Sequence, residues 1–226
     1  MDFLEKLTSI PYKLAAYIKN RIWIEGGFHK SSLSLGKSNT IISTGDWMSS
    51  TLKCEGIRNR IIVQNRLLHS TIRIIGNNNT IEFNTGGLIS YSDILVRADN
   101  AYIQVGKNSD LLSVNIVCQG RGNSVSIGDD CLFSRNIEIW NSDTHTILNS
   151  AGDIINHSEP VKIGEHVWIG KHVKILKGVT IGNNAVIGMG SIVSKDIPAN
   201  SINVGCPAKT IKEGINWSRE LVDFEN

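Results

Sequence analysis

The chain has 226 residues, enough for one repeat domain with small appendages. Its 23 basic and 21 acidic residues leave a formal net charge of +2, a balance that gives no support for a general nucleic-acid or membrane-surface binder. No apolar run approaches the roughly 20 residues of a membrane span, and the acidic Asp2 and Glu5, with no small-residue cleavage site, argue against a secretory signal.

Residues 2–25 read as helical. Phe3, Leu4, Leu7, Ile10, Leu14, Tyr17, Ile18 and Ile22 recur at three- and four-residue spacing with basic residues between them, and Pro11 splits the segment into a short and a longer piece. Two uses stay open: a helical cap over residues 1–30 that hides the edge of the next element, or a basic amphipathic helix resting on a membrane surface.

From Ser31 to Ser126 one shape recurs loosely. Asn39-Thr40-Ile41-Ile42-Ser43, Asn79-Thr80-Ile81-Glu82-Phe83, Asn100-Ala101-Tyr102-Ile103 and Asn123-Ser124-Val125-Ser126-Ile127 each place Asn before an alternating strand. Asn tolerates the left-handed backbone that a corner requires. These segments are expected to be irregular coils of a solenoid. Ile127, Phe133 and Ile139 then fall into a six-residue register, which residues 140–160 interrupt as an inserted loop. Loops on a rigid scaffold are frequent carriers of function.

The register returns strictly from Ile163 to Ile197. Aliphatic residues stand at Ile163, Ile169, Ile175, Ile181, Ile187 and Val193, and a second set at Val167, Val173, Val179, Ala185, Ser191 and Ile197. Gly164, Gly170, Gly182 and Gly188 follow the first set, with Leu176 and Ser194 breaking the column. Six is neither the 3.6 of a helix nor the 2 of a simple strand. It is the period of a hexapeptide β-helix, whose thin coils must stack to bury their interior. The expected organisation is a parallel β-helix over 31–200 with the loop at 140–160, then a turn at Gly205–Lys209 and a short helix from Ile215 to Phe224 within 201–226.

Cys54, Cys118, Cys131 and Cys206 show no paired spacing and read as free thiols of a cytosolic protein. His166 and His172, six apart, occupy equivalent places on successive sides of a coil and read as surface residues.

Val167-Trp168-Ile169-Gly170, Gly178-Val179-Thr180-Ile181-Gly182, Ile187-Gly188-Met189-Gly190-Ser191-Ile192-Val193-Ser194-Lys195-Asp196 and Gly205-Cys206-Pro207-Ala208-Lys209 together resemble the hexapeptide-repeat acyltransferases. Asn141-Ser142-Asp143-Thr144-His145-Thr146-Ile147, followed by Ile155-Asn156, is similar to the branch that O-acetylates bacterial capsule, lipopolysaccharide and sialic-acid sugars. The resemblance covers residues 123–217, weakens over 31–122 and does not reach the first 30. It implies an all-β, left-handed parallel β-helix, assembled as a homotrimer with acetyl-CoA between neighbouring subunits. The implied acceptor is a carbohydrate of a surface polysaccharide or its precursor, and the implied compartment is the cytoplasm, with the N-terminal segment able to touch the inner membrane surface.

A sugar hydroxyl is a poor nucleophile near neutral pH, and a positioned His can take its proton as the new bond forms. His145 matches the family's catalytic His; Asp143, two residues before it, would hold the ring tautomer or contact the sugar. Trp168 would line the tunnel between acceptor and donor. Asn115, which resembles an active-site Asn of some relatives, and Asn156 would contact the acceptor. By the same resemblance, backbone groups near Lys171, Met189 and Gly190 would bind the pantetheine amides. Ser194 and Lys195 close the register beside them. Lys195, Lys209 and Lys212 would hold the phosphates, and Gly205 and Pro207 would fix the turn that carries Lys209. Met189 departs from the small Ala common at that place.

A sister branch of this solenoid is a zinc enzyme, and His145, His157, His166 and His172 are its conceivable ligands; the loop and tail motifs point away from a metal, and none is expected. Three other readings stay open beside direct O-transfer: N-acetylation of an amino sugar, O-acetylation of serine, and a non-catalytic scaffold. A covalent route through Cys206 would be lost in Cys206→Ser.

Overall fold

The computed structural model describes residues 20–222, which form a three-sided solenoid. Face A stacks Arg21–Ile24, Thr40–Ser43, Arg60–Val63, Thr80–Phe83, Tyr102–Val105, Ser124–Ile127, Val161–Ile163 and Thr180–Ile181 in parallel. Face B runs from Phe28–His29 to Val186–Ile187 and Ser201–Gly205, and face C from Ser32–Leu35 to Ile192–Val193. One strand from each face makes a coil, and the described residues complete eight coils.

The core is the inside of the coils. Ile22, Ile41, Ile61, Ile81, Ile103, Val125 and Val161 are successive register partners on face A. All but the first are fully buried, and each such side chain removed from water contributes about 1.5–3 kcal/mol. Coil length explains why the repeat reads so unevenly. Ile163 and Ile181 are partners 18 residues apart, three steps of six. Arg21 and Thr40 are 19 apart, Thr40 and Arg60 20, and Thr80 and Tyr102 22. The early coils carry extra residues at their corners but keep the same inward columns.

Two polar ladders hold those early corners. Asn39 Oδ1 accepts from Asn59 N (2.9 Å) and Nδ2 (3.1 Å), Asn59 Oδ1 from Asn79 N (2.9 Å) and Nδ2 (3.0 Å), and Asn79 Oδ1 from Ala101 N (2.8 Å). Ser31, Ser50, Ser70 and Ser92 do the same between faces B and C, each hydroxyl accepting from the backbone N–H one coil on. The left-handed residue is the one before the ladder Asn: Ser38, Arg58 and Asn78, at φ 60°, 58° and 55°. Asn39 and Asn79 are therefore selected for their amide side chains rather than for backbone tolerance.

The glycine column also has a steric cause. Gly164, Gly170, Gly182 and Gly188 need no left-handed φ, but a Cβ on Gly170 would stand 2.7 Å from Met189 N, and one on Gly182 2.5 Å from Ala199 N. Leu176 and Ser194, which break the column, both follow face C, where the corner of coil 7 instead turns at Gly178, φ 75°.

Two expected elements differ. The helix expected over 2–25 lies mostly outside the described residues, but its last turn, Arg21–Ile24, is a strand, paired in parallel with Thr40–Ser43; the ladder outweighs the local 3.6 pattern. The helix expected from Ile215 is absent through residue 222. Ser201–Gly205 extends face B, Ala208–Glu213 turns back antiparallel to it, and the chain beyond runs as an irregular strap. Trp217 stacks on His166 at 4.2 Å and donates from Nε1 to His166 O (2.7 Å), while Arg219 reaches Asp110 Oδ2 (2.7 Å) and Asp130 Oδ1 (3.0 Å). Bonding to the solenoid wall replaces helical bonding. No helix among the described residues is long and apolar enough to cross a membrane.

Candidate active site

The site grows from one outward column of face C. Asn115, Glu138 and Lys174 are register partners in coils 5, 6 and 7. Strand alternation turns them out while Ile116, Ile139 and Ile175 between them point in. Glu138 Oε2 accepts from Asn115 Nδ2 (2.8 Å) and from the indole Nε1 of Trp140 (2.7 Å), which fixes all three side chains. Beside them opens a cavity of about 440 Å3, bounded further by Ser142, Asp143, Leu176 and Lys177.

The loop at 140–160 leaves the solenoid at this cavity. Its base is tied by Asn141, fully buried: Oδ1 accepts from Gln119 N (2.7 Å), Nδ2 donates to Gln119 O (3.0 Å), and its carbonyl accepts from Glu159 N (3.0 Å) at the loop's other end. Asn156 ties the middle. It donates to His145 O (2.8 Å) and Asp143 Oδ2 (3.0 Å) and accepts from Ile147 N (2.7 Å). His145 N donates to Asp143 O (2.7 Å). The backbone of His145 is thus held from both sides while its side chain is exposed. Beyond it the loop folds on itself through the Leu148–Ile154 bridge.

Asp143 and Asn156 therefore build the loop. The Asp143 carboxylate is engaged by Lys177 and Asn156 rather than by the His145 ring. The Lys177 hydrogen bond holds that carboxyl below the usual carboxylate range.

The other expected residues lie around the corner. Trp168 is on face B of coil 7, 42% exposed, its ring 6.0 Å from Trp217. Lys171, Met189 and Gly190 form the corner between faces B and C. Lys171 O accepts from Gly190 N (2.8 Å), so these two groups serve the coil, while the Met189 side chain is 73% exposed. Ser194 and Lys195 are exposed at the far corner of face C, and Lys209 and Lys212 on the last strand. Gly205 adopts φ 103° and donates to Ser191 Oγ (3.0 Å); Pro207 follows in the same turn. One chain therefore gathers Asn115, Asp143, His145 and Asn156 beside face C and spreads the rest over face B, the two corners of face C and the terminal strands.

His166 and His172 occupy left-handed corner positions, φ 52° and 62°, a region in which His is enriched. His166 faces Asp130 Oδ2 (2.6 Å) and Trp217 O (3.0 Å). Among the described residues no group of three or more His, Cys, Asp and Glu is placed to hold a metal ion. Burial pushes the thiols of Cys54 and Cys131 up to about 11 and that of Cys118 to about 12; Cys206 is exposed.

Glu138, Trp140, Lys174 and Lys177 escaped the sequence reading. Only Lys177 left a trace, standing next to Leu176 where the glycine column breaks.

Residues 160–195 match the family described as bacterial transferase hexapeptide, six repeats. A polysialic acid O-acetyltransferase of Neisseria meningitidis is 33% identical over 137 residues, 50% of this chain. The match spans 63% of that relative's length. The crystal structure of the polySia-specific acetyltransferase NeuO superposes with a TM-score of 0.77 at 28% identity, over 84% of this chain and 90% of that one. That of the polysialic acid O-acetyltransferase OatWY gives 0.52 at 26% identity, over 91% and 94%.

Proposed function

We propose that this chain, which carries the bacterial transferase hexapeptide repeat and is homologous to polysialic acid O-acetyltransferases, transfers an acetyl group to a hydroxyl of a surface-polysaccharide sugar. The observation that carries the reading is His145, whose backbone is clamped by Asp143 and Asn156 with its side chain exposed, two residues beyond Asp143, which lines the face C cavity.

Acetyl-CoA supplies the acetyl group as a thioester. The His145 ring removes the hydroxyl proton as the sugar oxygen bonds to the thioester carbonyl; the carbon–sulfur bond then breaks and CoA leaves as its thiolate. Asp143 acts by holding the loop through Lys177 and Asn156. Asn115 and Glu138 present an amide and a carboxylate to the acceptor. Lys195, Lys209 and Lys212 are exposed and form no ion pairs among the described residues, which suits the phosphates of CoA. The remaining contacts would come from Trp168, Lys171 and Met189, in a left-handed, threefold assembly that sets face B of one subunit against face C of the next. The compartment is the cytoplasm, where acetyl-CoA is available.

The test is CoA thiol release from acetyl-CoA with purified protein and a panel of sialylated and neutral glycans. Acceptor-dependent release supports the reading. Retention of acetyl-CoA without release on any glycan of the panel argues against it, and absence of acetyl-CoA binding points to a scaffold.

A further inference from the structure

We propose that Trp217 is a positioning residue: the C-terminal strap braces the ring of Trp168, which the proposed function sets against the acetyl donor. Its effect on transfer rests on the O-acetyltransferase reading; the brace itself is a contact within the chain.

Trp168 stands in an outward column of face B. Its register partners are Leu132 in the coil before and Val186 in the coil after, aliphatic side chains with no polar group to hold an indole. A Trp side chain turns about two bonds, so a ring that is 42% exposed keeps one orientation only where something packs on it. Trp217 packs on it. The ring centroids are 6.0 Å apart and tilted by 42°, inside the range of favourable aromatic pairs, about 4.5–7 Å.

Trp217 is itself fixed on three sides by His166. Its Nε1 donates to His166 O (2.7 Å), its ring stacks on the imidazole (4.2 Å), and its carbonyl faces His166 Nε2 (3.0 Å). His166 Nδ1 in turn meets Asp130 Oδ2 (2.6 Å), and Arg219, two residues past Trp217, donates to the other oxygen of that carboxylate (3.0 Å). A continuous set of contacts thus runs from Arg219 through Asp130 and His166 to Trp217 and ends on Trp168. The indole N–H groups differ in the same sense. Those of Trp47, Trp140 and Trp217 donate to Ser43 Oγ, Glu138 Oε2 and His166 O. That of Trp168 donates to no group among the described residues, so the ring is held by a neighbouring ring while its N–H is left for a ligand. Misplacing a group beside the reacting atoms by about 1 Å can cost about 100-fold in rate. The strap therefore serves the transfer step without touching either substrate.

The test is a double-mutant cycle over Trp217→Ala and Trp168→Ala. It is read by calorimetry with acetyl-CoA and by thiol release with a sialic acid oligomer. Trp217→Ala is expected to lower kcat about tenfold and to leave KM for the glycan within about twofold. In the Trp168→Ala background the same substitution should change neither donor binding nor rate, because the brace then has nothing to position. Trp217→Phe keeps a ring on the imidazole and restores most of the rate. The coupled indole signal in near-ultraviolet circular dichroism should vanish alike in either single variant. The proposal is overturned if Trp217→Ala costs nothing, or costs the same in both backgrounds as a general loosening of the fold would. Coupled effects on acetyl-CoA binding without thiol release on any glycan sink the transferase reading and leave the brace. Thiol release with uncoupled variants does the reverse, and wild-type protein that binds no acetyl-CoA overturns both.

Discussion

Replacing Asn59 with Ala tests what holds the long coils in register. Asn59 is 1% exposed. Its Oδ1 accepts from Asn79 N and Nδ2, and its Nδ2 donates to Gly76 O (2.9 Å) and Asn39 Oδ1 (3.1 Å). Ala removes these four contacts and a weaker fifth, from Nδ2 to Cys54 Sγ (3.3 Å). The Asn79 N–H and the Gly76 carbonyl lose these partners in positions that water cannot easily reach, at about 1–3 kcal/mol each. Asn79 Nδ2 keeps Ala98 O (2.7 Å), and Asn39 Oδ1 keeps the Asn59 N–H, so those losses are smaller. The sum is about 3–5 kcal/mol, equivalent to a fall of roughly 10 °C or more in melting temperature for a chain of this size. Guanidinium unfolding should show the midpoint displaced with its slope retained. Asn77→Ala, which removes two exposed contacts, one accepted from Ile57 N and one donated to Asp99 Oδ1, should cost less than about 1 kcal/mol. An Asn59→Ala loss no larger than that of Asn77→Ala would refute the ladder as a structural support.

Arg219→Ala should release the C-terminal strap. The guanidinium serves Asp110, Asp130, Asn108 O and Cys131 O but is 36% exposed, so the stability cost is about 1–2 kcal/mol; faster C-terminal proteolysis and a red-shifted Trp emission would register it. Burial pushes the Asp130 carboxyl up, yet hydrogen bonds from His166 and Arg219 outweigh it and hold the group below its ordinary value; the same variant should move it back up in a carboxyl NMR titration. The Asp143–Lys177 pair gives the loop a pH dependence of known sign. A carboxyl lowered in the folded state adds stability above its unfolded pKa of about 4, and that stability is lost as pH falls through the lower folded value. Loop amides should therefore lose exchange protection only in strong acid, whereas Lys177→Met should loosen the loop at pH 7; equal loop protection in variant and wild type at pH 7 would count against the pair.

Legibility tracked coil length. From Ile163 onward each coil is 18 residues, and the columns could be read directly. The earlier coils hold the same columns at spacings of 19 to 23, and of 36 across the inserted loop, which no fixed period captures. Their Asn residues were visible as corner markers, but the ladder that selects them joins residues 20 apart and appears only with the register. The loop that carries His145 was legible because it breaks a strict pattern, whereas the role proposed for His145 came from the likeness of its motif to the family. Glu138 and Lys174 were not, since their partners lie 23 and 36 residues away in sequence. The apolar spacing from Ile215 resembled a helix because Trp217 and its neighbours serve the solenoid wall instead.

The most direct measurement of the central claim is the product. Purified protein is incubated with acetyl-CoA and a sialic acid oligomer, and the acceptor is analysed by mass spectrometry before and after mild alkali, with His145→Ala alongside. The account predicts an alkali-labile acetyl ester formed by the wild-type protein and a loss of about 100-fold or more in rate in the variant, whose exposed ring leaves the fold intact. An alkali-stable amide, or an ester formed equally fast by His145→Ala, would contradict it.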